Sequence, residues 1–512
     1  MRTTTAREAA SAILVRRRDD SLEVLLVRRD PSASFLPGLT AFPGGAVDDG
    51  DRAASASAPD PADAAARRAA MRELFEETGL VAGAADHEDA AAAARDAWLD
   101  HRNDEAAALL ATRGMRLHPD RGRPAGRWIT PEYSPIRFDT RFYLVEARHD
   151  EGWPEPSLVG HELDKVAWWR PSDALAAWGR AEHLIGPPAV IALRALARCE
   201  NDPEPDLDAA ARAMRETRGA DGRQSQRWEV VPGVFAMPFR TPTLPPATHT
   251  NAYVLGSGSG AVLVEPATPF EDEQDRMVDW LAELRDGGVE VREMWLTHHH
   301  PDHVGGATAL ARRLGLPLRA HRVTVDRLRG TVACNGTIEP DEVVELDGPH
   351  PVRVRAFFTP GHAPGHLCYF EERSGALLAG DMVASIGTIL VAPGDGDMAL
   401  YLESLRAMGR LGPTVLLPAH GFPVGDPHQK LEGYVAHRLM RERKVLDALD
   451  RASSRGTRDA TYADLLPIAY EDTPKAVWPL AALSLQSHLL KLQHDGRASR
   501  HGDAWRLTAS SA

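Results

Sequence analysis

Cysteine is nearly absent from this chain. Its 512 residues hold only Cys199, Cys334 and Cys368, far apart and never as a Cys-x-x-Cys pair. That excludes a disulfide framework and a thiolate zinc knuckle, and fits a reducing compartment. Long apolar runs are missing too: nowhere do 18 apolar residues follow one another, so no membrane-crossing helix is expected. The opening "MRTTTAREAASAILVRR" lacks the extended apolar core of an export signal. Positive charge is in deficit, 59 Lys and Arg against 73 Asp and Glu, a formal net charge of −14. Such a balance disfavours nonspecific binding to nucleic acid or an anionic bilayer. The expectation is a cytoplasmic protein with no membrane partner. What is present, 43% hydrophobic and 26% charged residues, suits globular domains, and the length calls for two or three of them.

Residues 9–29 read as two strands, "AASAILVRR" and "LEVLLVRR", around a polar turn. "FLPGLTAFPGG" (35–45) reads as a loop rich in breakers, and 46–63 as a mobile insertion of small and acidic residues. A helix follows to Leu80, an Ala-rich helical stretch covers 85–113, and strand signals return at 137–147 and 164–171. A polar segment at 201–227, with room for a short helix, is expected to link 7–200 to a second domain at 228–425. There "NAYVLG" and "GAVLVEPA" read as strands, Met277, Trp280, Leu281 and Leu284 recur at helical spacing, and "VREMWLT" is a strand leading into "THHHPDHVGG". A mainly helical tail occupies 426–512.

The stretch 297–306 crowds His298, His299, His300, Asp302 and His303 into six positions. Folding gives no reason for that; metal chemistry does. His298 and His300, two apart in an extended segment, project to one side and can grip one ion. Asp302 and His303 diverge after Pro301, which suits a second ion, and two ions about 3.5–4 Å apart can clamp both ends of a displacement reaction. More ligands are needed. His362 in "FFTPGHAPGH", Asp381 in "ALLAGDMV" and His420 in "VLLPAHGF" each follow an apolar strand and sit in a turn with Gly or Pro. Carboxylates bridge metals, so Asp381 is the natural shared ligand. His299 should turn away, and His366 either positions substrate or is a hydrogen-bonded core residue.

This constellation resembles the metallo-β-lactamase superfamily, whose His-x-His-x-Asp-His pattern stands here at 298–303, with later matches at His362, Asp381 and His420 over roughly 228–425. The resemblance implies an αββα sandwich. His298, His300 and His362 would hold one metal, Asp302, His303 and His420 the other, and Asp381 would lie between. Two zinc ions are implied, with iron or manganese as alternatives, and Asp302 as a catalytic residue orienting metal-bound hydroxide. Glu265 stands where the superfamily usually has Asp, supporting the ligand loop.

A second signal is "AAMRELFEETGL" (69–80). On a helix Glu73, Glu76 and Glu77 share a face, and clustered carboxylates invite a hard cation, Mg²⁺ or Mn²⁺. The run resembles the second half of the Nudix box, at Arg72, Glu73, Leu74, Glu76, Glu77, Gly79 and Leu80, with Gly45 matching the first half. The box puts Arg fourteen positions after its Gly; here the separation is 27 (72 − 45), so thirteen residues are inserted. Counted back from Arg72, the box's first Glu falls at Ala64, so one family carboxylate is either missing or replaced by Asp63 or Asp51. The resemblance, to a branch that hydrolyses coenzyme A and its thioesters, implies a Nudix α/β/α sandwich with Glu73 and Glu76 catalytic.

The tail is similar to that of endoribonuclease-like and hydroxyacylglutathione-hydrolase-like metallo-β-lactamases, which ends in a small winged helix. Leu483, Leu489, Leu490 and Leu492 would pack its long helix, with Trp505 on the wing. Lys491, Arg497, Arg500 and Arg506 would contact nucleic acid; otherwise the unit serves packing or dimerisation. The fold class expected is α/β and α+β. The function expected is a dinuclear metallo-hydrolase, cleaving an ester or thioester, fused to a Nudix pyrophosphohydrolase acting on a nucleoside-diphosphate-linked or CoA-like compound. Two alternatives stand: an endoribonuclease with single-stranded RNA as partner, and a nucleotide sensor with a regulatory winged helix. A homo-oligomer is compatible with either.

Overall fold

The computed structural model describes residues 5–31, 37–100, 102–130, 134, 136–159, 162–217, 228–454 and 459–508. The chain divides into two compact units, Met1–Val231 and Pro232–Ala512. No helix among the described residues is long and apolar enough to cross a membrane.

The first unit is a mixed sheet between helical layers. Arg7–Arg18 is its spine, antiparallel to Ser21–Arg29 and parallel to Phe138–Ala147. Alternation along that strand sets the two faces. Ala10, Ala12 and Leu14 pack with Ala66, Ala69, Ala70 and Leu74 of the helix Pro61–Thr78. Ile13 and Val15 point the other way, into a core with Trp178, Leu193 and Leu196. The helix Leu207–Glu216, within the segment expected as linker, buries Leu207, Ala210, Ala211 and Met214 in that second core; residues 218–227 of the segment lie outside the described residues. The 46–63 stretch is not a mobile insertion. It holds the helix Asp49–Ser55, started by a reciprocal Asp48–Asp51 cap. The breaker-rich loop likewise contains two short strands, Leu39–Ala41 and Gly44–Ala46, the second paired with Arg7–Arg18; residues 35 and 36 lie outside the described residues.

The second unit stacks two sheets. Val234–Arg240, His249–Leu255, Ala261–Val264, Val291–Trp295, Leu318–Ala320 and Gly336–Thr337 lie side by side in that order in one of them. Val343–Leu346, Val352–Phe358, Leu367–Glu371, Ala376–Gly380 and Val415–Pro418 form the other. Side chains bridge the sheets: Tyr369 donates to Leu296 O at 2.7 Å and Tyr253 to Pro418 O at 2.7 Å. Helices cover the outer faces. Glu271–Asp286 buries Met277, Trp280, Leu281 and Leu284 against the first sheet; Met398–Arg410 and Pro427–Ser454 cover the second with Tyr401, Leu405, Leu431 and Tyr434. This is the αββα sandwich.

The tail adds helices Tyr462–Ala469 and Trp478–His494 and a hairpin of Ala498–His501 with Ala504–Leu507. Leu489, Leu492 and Trp505 are fully buried, as the helical spacing implies. Leu490 is not a core residue: it is exposed, and Leu485 fills the position one turn before Leu489. Trp505 sits in a strand of the hairpin that forms the wing, as expected, with its side chain buried in the core of the tail.

Candidate metal centre

The structure brings all seven side chains of the second unit together at one end of the sandwich. Each follows a strand. Val291–Trp295 runs into His298–His303, Val352–Phe358 into His362, Ala376–Gly380 into Asp381, and Val415–Pro418 into His420. Pro301 opens a four-residue helix, Pro301–Val304, with His300 at its N-cap in extended conformation. That bend is what separates the His298–His300 pair from Asp302 and His303. Gly380 has φ +49°, and a Cβ there would lie 2.5 Å from His366 Nε2, so the turn that presents Asp381 needs glycine.

Three nitrogens form the first cluster: His298 Nε2 lies 3.0 Å from His300 Nδ1, His362 Nε2 lies 2.9 Å from His300 Nδ1, and 3.2 Å separate His362 Nε2 from His298 Nε2. Ligands at about 2.0–2.1 Å in tetrahedral array stand roughly 3.3 Å apart, so the spacing fits one ion. The opposite nitrogen of each ring is engaged. His362 Nδ1 donates to Leu390 O at 2.9 Å, and His300 Nε2 to Asp395 Oδ2 at 2.6 Å. Those acceptors put the ring proton outside, so lone pairs of both rings face the cluster. His298 Nδ1 meets Thr297 Oγ1 at 2.9 Å. Burial pushes His298 far down and His362 down to about 4, which keeps the rings neutral and able to ligate.

The second cluster is richer in carboxylate. His420 Nε2 lies 3.3 Å from Asp381 Oδ1 and 3.5 Å from Asp302 Oδ2; His303 Nε2 lies 3.6 Å from Asp381 Oδ1 and 3.8 Å from Asp302 Oδ1. The other oxygen, Asp381 Oδ2, faces His362 Nε2 of the first cluster at 3.6 Å. Burial disfavours charge here, yet the Asp381 and Asp302 carboxylates lift His420 to about 10. The same imidazoles hold Asp381 well below the usual carboxylate range against its burial. The cluster therefore demands positive charge. His303 Nε2 and Asp381 Oδ1 are buried without a hydrogen-bond partner among the described residues, atoms a cation would satisfy. Donor set, spacing and orphaned atoms all fit divalent metal.

Supporting residues fix these rings from behind. Glu265, a buried residue with φ +67°, accepts from Thr297 N–H at 2.9 Å through one oxygen and holds His303 Nδ1 at 2.6 Å through the other. His420 Nδ1 donates to His249 O at 2.9 Å. His366 is no ligand: its Nδ1 meets Thr359 Oγ1 at 2.8 Å, and its Nε2 accepts the Asp381 N–H at 3.1 Å. His299 turns aside to Asp395, 3.3 Å away, which also meets Arg327 at 3.2 Å. Asp395 was missed by sequence reasoning. It sits in "GDGD", a turn-rich run far from the His-rich loop, and only the fold brings it there.

In the first unit Glu73, Glu76 and Glu77 share one face of Pro61–Thr78, which ends at Gly79 with φ +70°. Arg72 is their centre. It meets Glu73 Oε1 at 2.9 Å, Glu76 Oε2 at 3.0 Å and Asp51 Oδ2 at 2.9 Å. Glu77 accepts from Gly44 N–H at 3.1 Å. A Cβ on Gly45 would lie 2.5 Å from the Glu73 carboxylate, so that strand must present glycine. Burial pushes all three glutamates up, Glu73 to about 7. Among the described residues, every trio of close metal-donor atoms belongs to the second unit; the three glutamates are not drawn to one point. The structure also relocates the inserted residues. Asp51 lies six positions after Gly45 (51 − 45 = 6), the box's own spacing, and it, not Ala64, meets the box arginine. Asp63 instead engages Arg67 at 2.5 Å and Tyr143 at 2.8 Å. The thirteen extra residues thus fall between Asp51 and Arg72.

Comparison with known proteins agrees with this architecture. The family profile of the metallo-beta-lactamase superfamily matches residues 245–420, that of the beta-lactamase associated winged helix domain 461–505, and that of the NUDIX domain 5–185. The Lactamase-like protein nscB of Trichophyton rubrum is 33% identical over 256 residues, 48% of this chain and 74% of the relative. The Beta-lactamase-like protein 2 homolog of Drosophila melanogaster is 29% identical over 267 residues, 50% of this chain and 86% of the relative. Among solved structures, a NUDIX hydrolase from Alicyclobacillus acidocaldarius is 33% identical, covering 38% of this chain and 93% of that one, with a TM-score of 0.33. The chain belongs to the metallo-beta-lactamase superfamily. It is a hydrolase in which a NUDIX domain precedes the metallo-β-lactamase fold and a winged helix follows it.

Proposed function

We propose that the second unit is a dinuclear metallo-hydrolase acting on a thioester or ester. His298, His300 and His362 would hold one divalent ion and Asp302, His303 and His420 the other, with Asp381 shared. The observation that carries this is Asp381: its two oxygens face two different donor clusters, 3.3 Å from His420 and 3.6 Å from His362. Zinc suits the nitrogen-rich first cluster, and iron or manganese would also be accepted. Ions bound there supply Lewis acidity and a nucleophile available at neutral pH. The chain's own part is orientation and proton handling. The imidazoles of His303 and His420 hold the Asp302 carboxylate well below its ordinary range despite burial, so it stays ionised and can accept a hydrogen bond at Oδ2 that orients the nucleophile. Glu265 and Leu390 O keep the His303 and His362 rings aimed inward.

Two features favour an acyl substrate over a polyanion. Leu244 and Ile386, 51% and 49% exposed, each lie beside a residue touching His420: Thr243 Oγ1 is 3.5 Å from His420 Nε2, and Ser385 N–H donates to His420 O. An apolar rim suits an acyl chain. The tail cations, in contrast, are engaged. Lys491 and Arg497 pair with Glu442, Arg506 pairs with Asp459, and Arg500 Nε donates to Gly502 O at 2.9 Å, which leaves a poor surface for RNA. The first unit would hydrolyse a nucleoside-diphosphate-linked or CoA-like compound, with Mg²⁺ or Mn²⁺ drawing to one point Glu77 and the Glu73 and Glu76 that pair with Arg72. A thioester substrate in one unit and a CoA-like one in the other make the fusion coherent.

The test is a parallel assay of acyl-CoA, acylglutathione, single-stranded RNA and ADP-ribose with the intact chain, Asp302→Ala and Glu76→Ala. Thioester turnover should vanish in Asp302→Ala and survive in Glu76→Ala, with diphosphate cleavage behaving oppositely. Thioester turnover indifferent to Asp302→Ala, or RNA cleavage in its place, overturns the reading.

A further inference from the structure

The helix Pro427–Ser454 carries a polar stripe that neither folding nor the ligand set accounts for. Lys430, Tyr434, Arg438 and Glu442 recur every fourth residue, on one face. Tyr434, Arg438 and Glu442 are buried, Arg438 to 3% exposure. A guanidinium placed that deep costs several kcal/mol unless its donors are used, and a leucine would serve packing better. The stripe has a target. Lys430 Nζ donates to Ser385 O at 2.9 Å. The Tyr434 hydroxyl accepts from Ala384 N–H at 2.9 Å and donates to Gly387 O at 3.1 Å. Arg438 Nη2 donates to Ile389 O. From the winged helix, Ser487 Oγ donates to Val391 O at 2.6 Å. All these acceptors belong to one irregular segment, 384–391, which follows Asp381 and is itself neither strand nor helix. Its tip, 386–388, is exposed.

Between the two carbonyls held by Arg438 and Ser487 lies Leu390 O, the acceptor of His362 Nδ1–H. We propose that Tyr434, Arg438 and Ser487, with Lys430, are positioning residues: a hydrogen-bonded clamp through which the tail sets segment 384–391, and so the ring of His362 and the rim at Ile386. Glu442, the next residue of the stripe, meets Lys491 at 2.7 Å and Arg497 at 3.0 Å, which fastens the helix that bears Ser487 to the same stripe. The winged helix is thereby part of the hydrolytic centre, acting on its geometry. This rests on the ligand assignment proposed above.

The experiment uses the full chain with Tyr434→Phe and Ser487→Ala, singly and together. Each removes one hydroxyl and little volume, so folding is retained where Arg438→Ala could lose it. Leu439→Ala, exposed on the same helix, is the control. Two readouts are independent of turnover. Hydrogen exchange of amides 384–391 in metal-free protein should accelerate in the double variant and not in the control. Zinc affinity of the His298–His300–His362 cluster, titrated against a chelator, should fall about tenfold or more, with an altered visible spectrum of the cobalt(II) form. Arg438→Lys, which keeps a donor, should fall between wild type and double variant. A wild type that takes up no metal overturns the ligand assignment, and with it the clamp's purpose. A wild type that loads while the double variant loads equally well, with an unchanged cobalt spectrum, overturns the clamp alone.

Discussion

Asp51→Ala should destabilise the first unit far more than an ordinary loop substitution. Asp51 is 1% exposed and Arg72 side-chain exposure is 7%. Asp51 Oδ2 lies 2.9 Å from Arg72 Nη2 and 3.2 Å from its Nε, a two-point contact. The same carboxylate closes the cap of Asp49–Ser55 by accepting from Asp48 N–H at 3.2 Å. Removing one partner of a buried pair costs about 3–5 kcal/mol. Arg72 keeps Glu73, Glu76 and Ala46 O, which points to the lower end, and the lost cap adds about 0.5–1 kcal/mol. The sum is about 3–4 kcal/mol, or roughly 6–16 °C in the melting temperature of a unit this size. Calorimetry of the full chain reads it. Ala64→Glu placed in the Asp51→Ala background should rescue nothing, because Ala64 stands more than two turns before Arg72 on the same helix, about 12 Å along its axis. A loss below about 1 kcal/mol, typical of a surface site, or rescue by Glu at 64, refutes the assignment of Asp51 as Arg72's partner.

Other outcomes are as definite. Glu265→Gln gives a side chain with one acceptor for two donors, Thr297 N–H and His303 Nδ1–H. Metal affinity at the Asp302–His303–His420 cluster should fall by about 10–100-fold, in a chelator competition that leaves the all-histidine cluster unchanged; equal affinities at both would contradict the role given to Glu265. His488 is buried with neither ring nitrogen partnered among the described residues, and burial beside Arg438 and Lys491 pushes it down to about 3. An unfolded histidine takes up a proton below about 6.5, so the tail should lose stability as pH falls from there toward 3. His488→Leu should remove that slope and gain about 2 kcal/mol at pH 5 in urea unfolding; a variant with the wild-type pH dependence would show that the ring does not titrate this way.

Much of the second unit was legible because its chemistry is local. Strand, turn and ligand lie in consecutive residues at 291–303, 376–381 and 415–420, and short apolar runs identified the strands. The illegible parts depend on the fold. Asp395 reaches His300 from a glycine-rich turn whose sequence says only that it bends. Glu265 works because its backbone takes φ +67°, a conformation no side-chain pattern encodes. Asp51 was legible only as one of two candidate replacements for the box's first Glu, and composition hid its helix: small and acidic residues read as a mobile insertion, while a reciprocal cap and one buried arginine order them. In the tail, helical spacing identified Leu489 and Leu492 but not the outward tilt of Leu490. The polar stripe 430–442 carries no sign in the sequence of segment 384–391, which only the fold brings against it.

The most direct test of the central claim is metal stoichiometry by mass spectrometry and chelator titration, for wild type and Asp381→Ala. The account predicts two tightly held divalent ions per second unit in wild type, and weakened binding of both in Asp381→Ala, since each cluster loses an oxygen. A wild type that holds none, or an Asp381→Ala chain that keeps both at unchanged affinity, would contradict it.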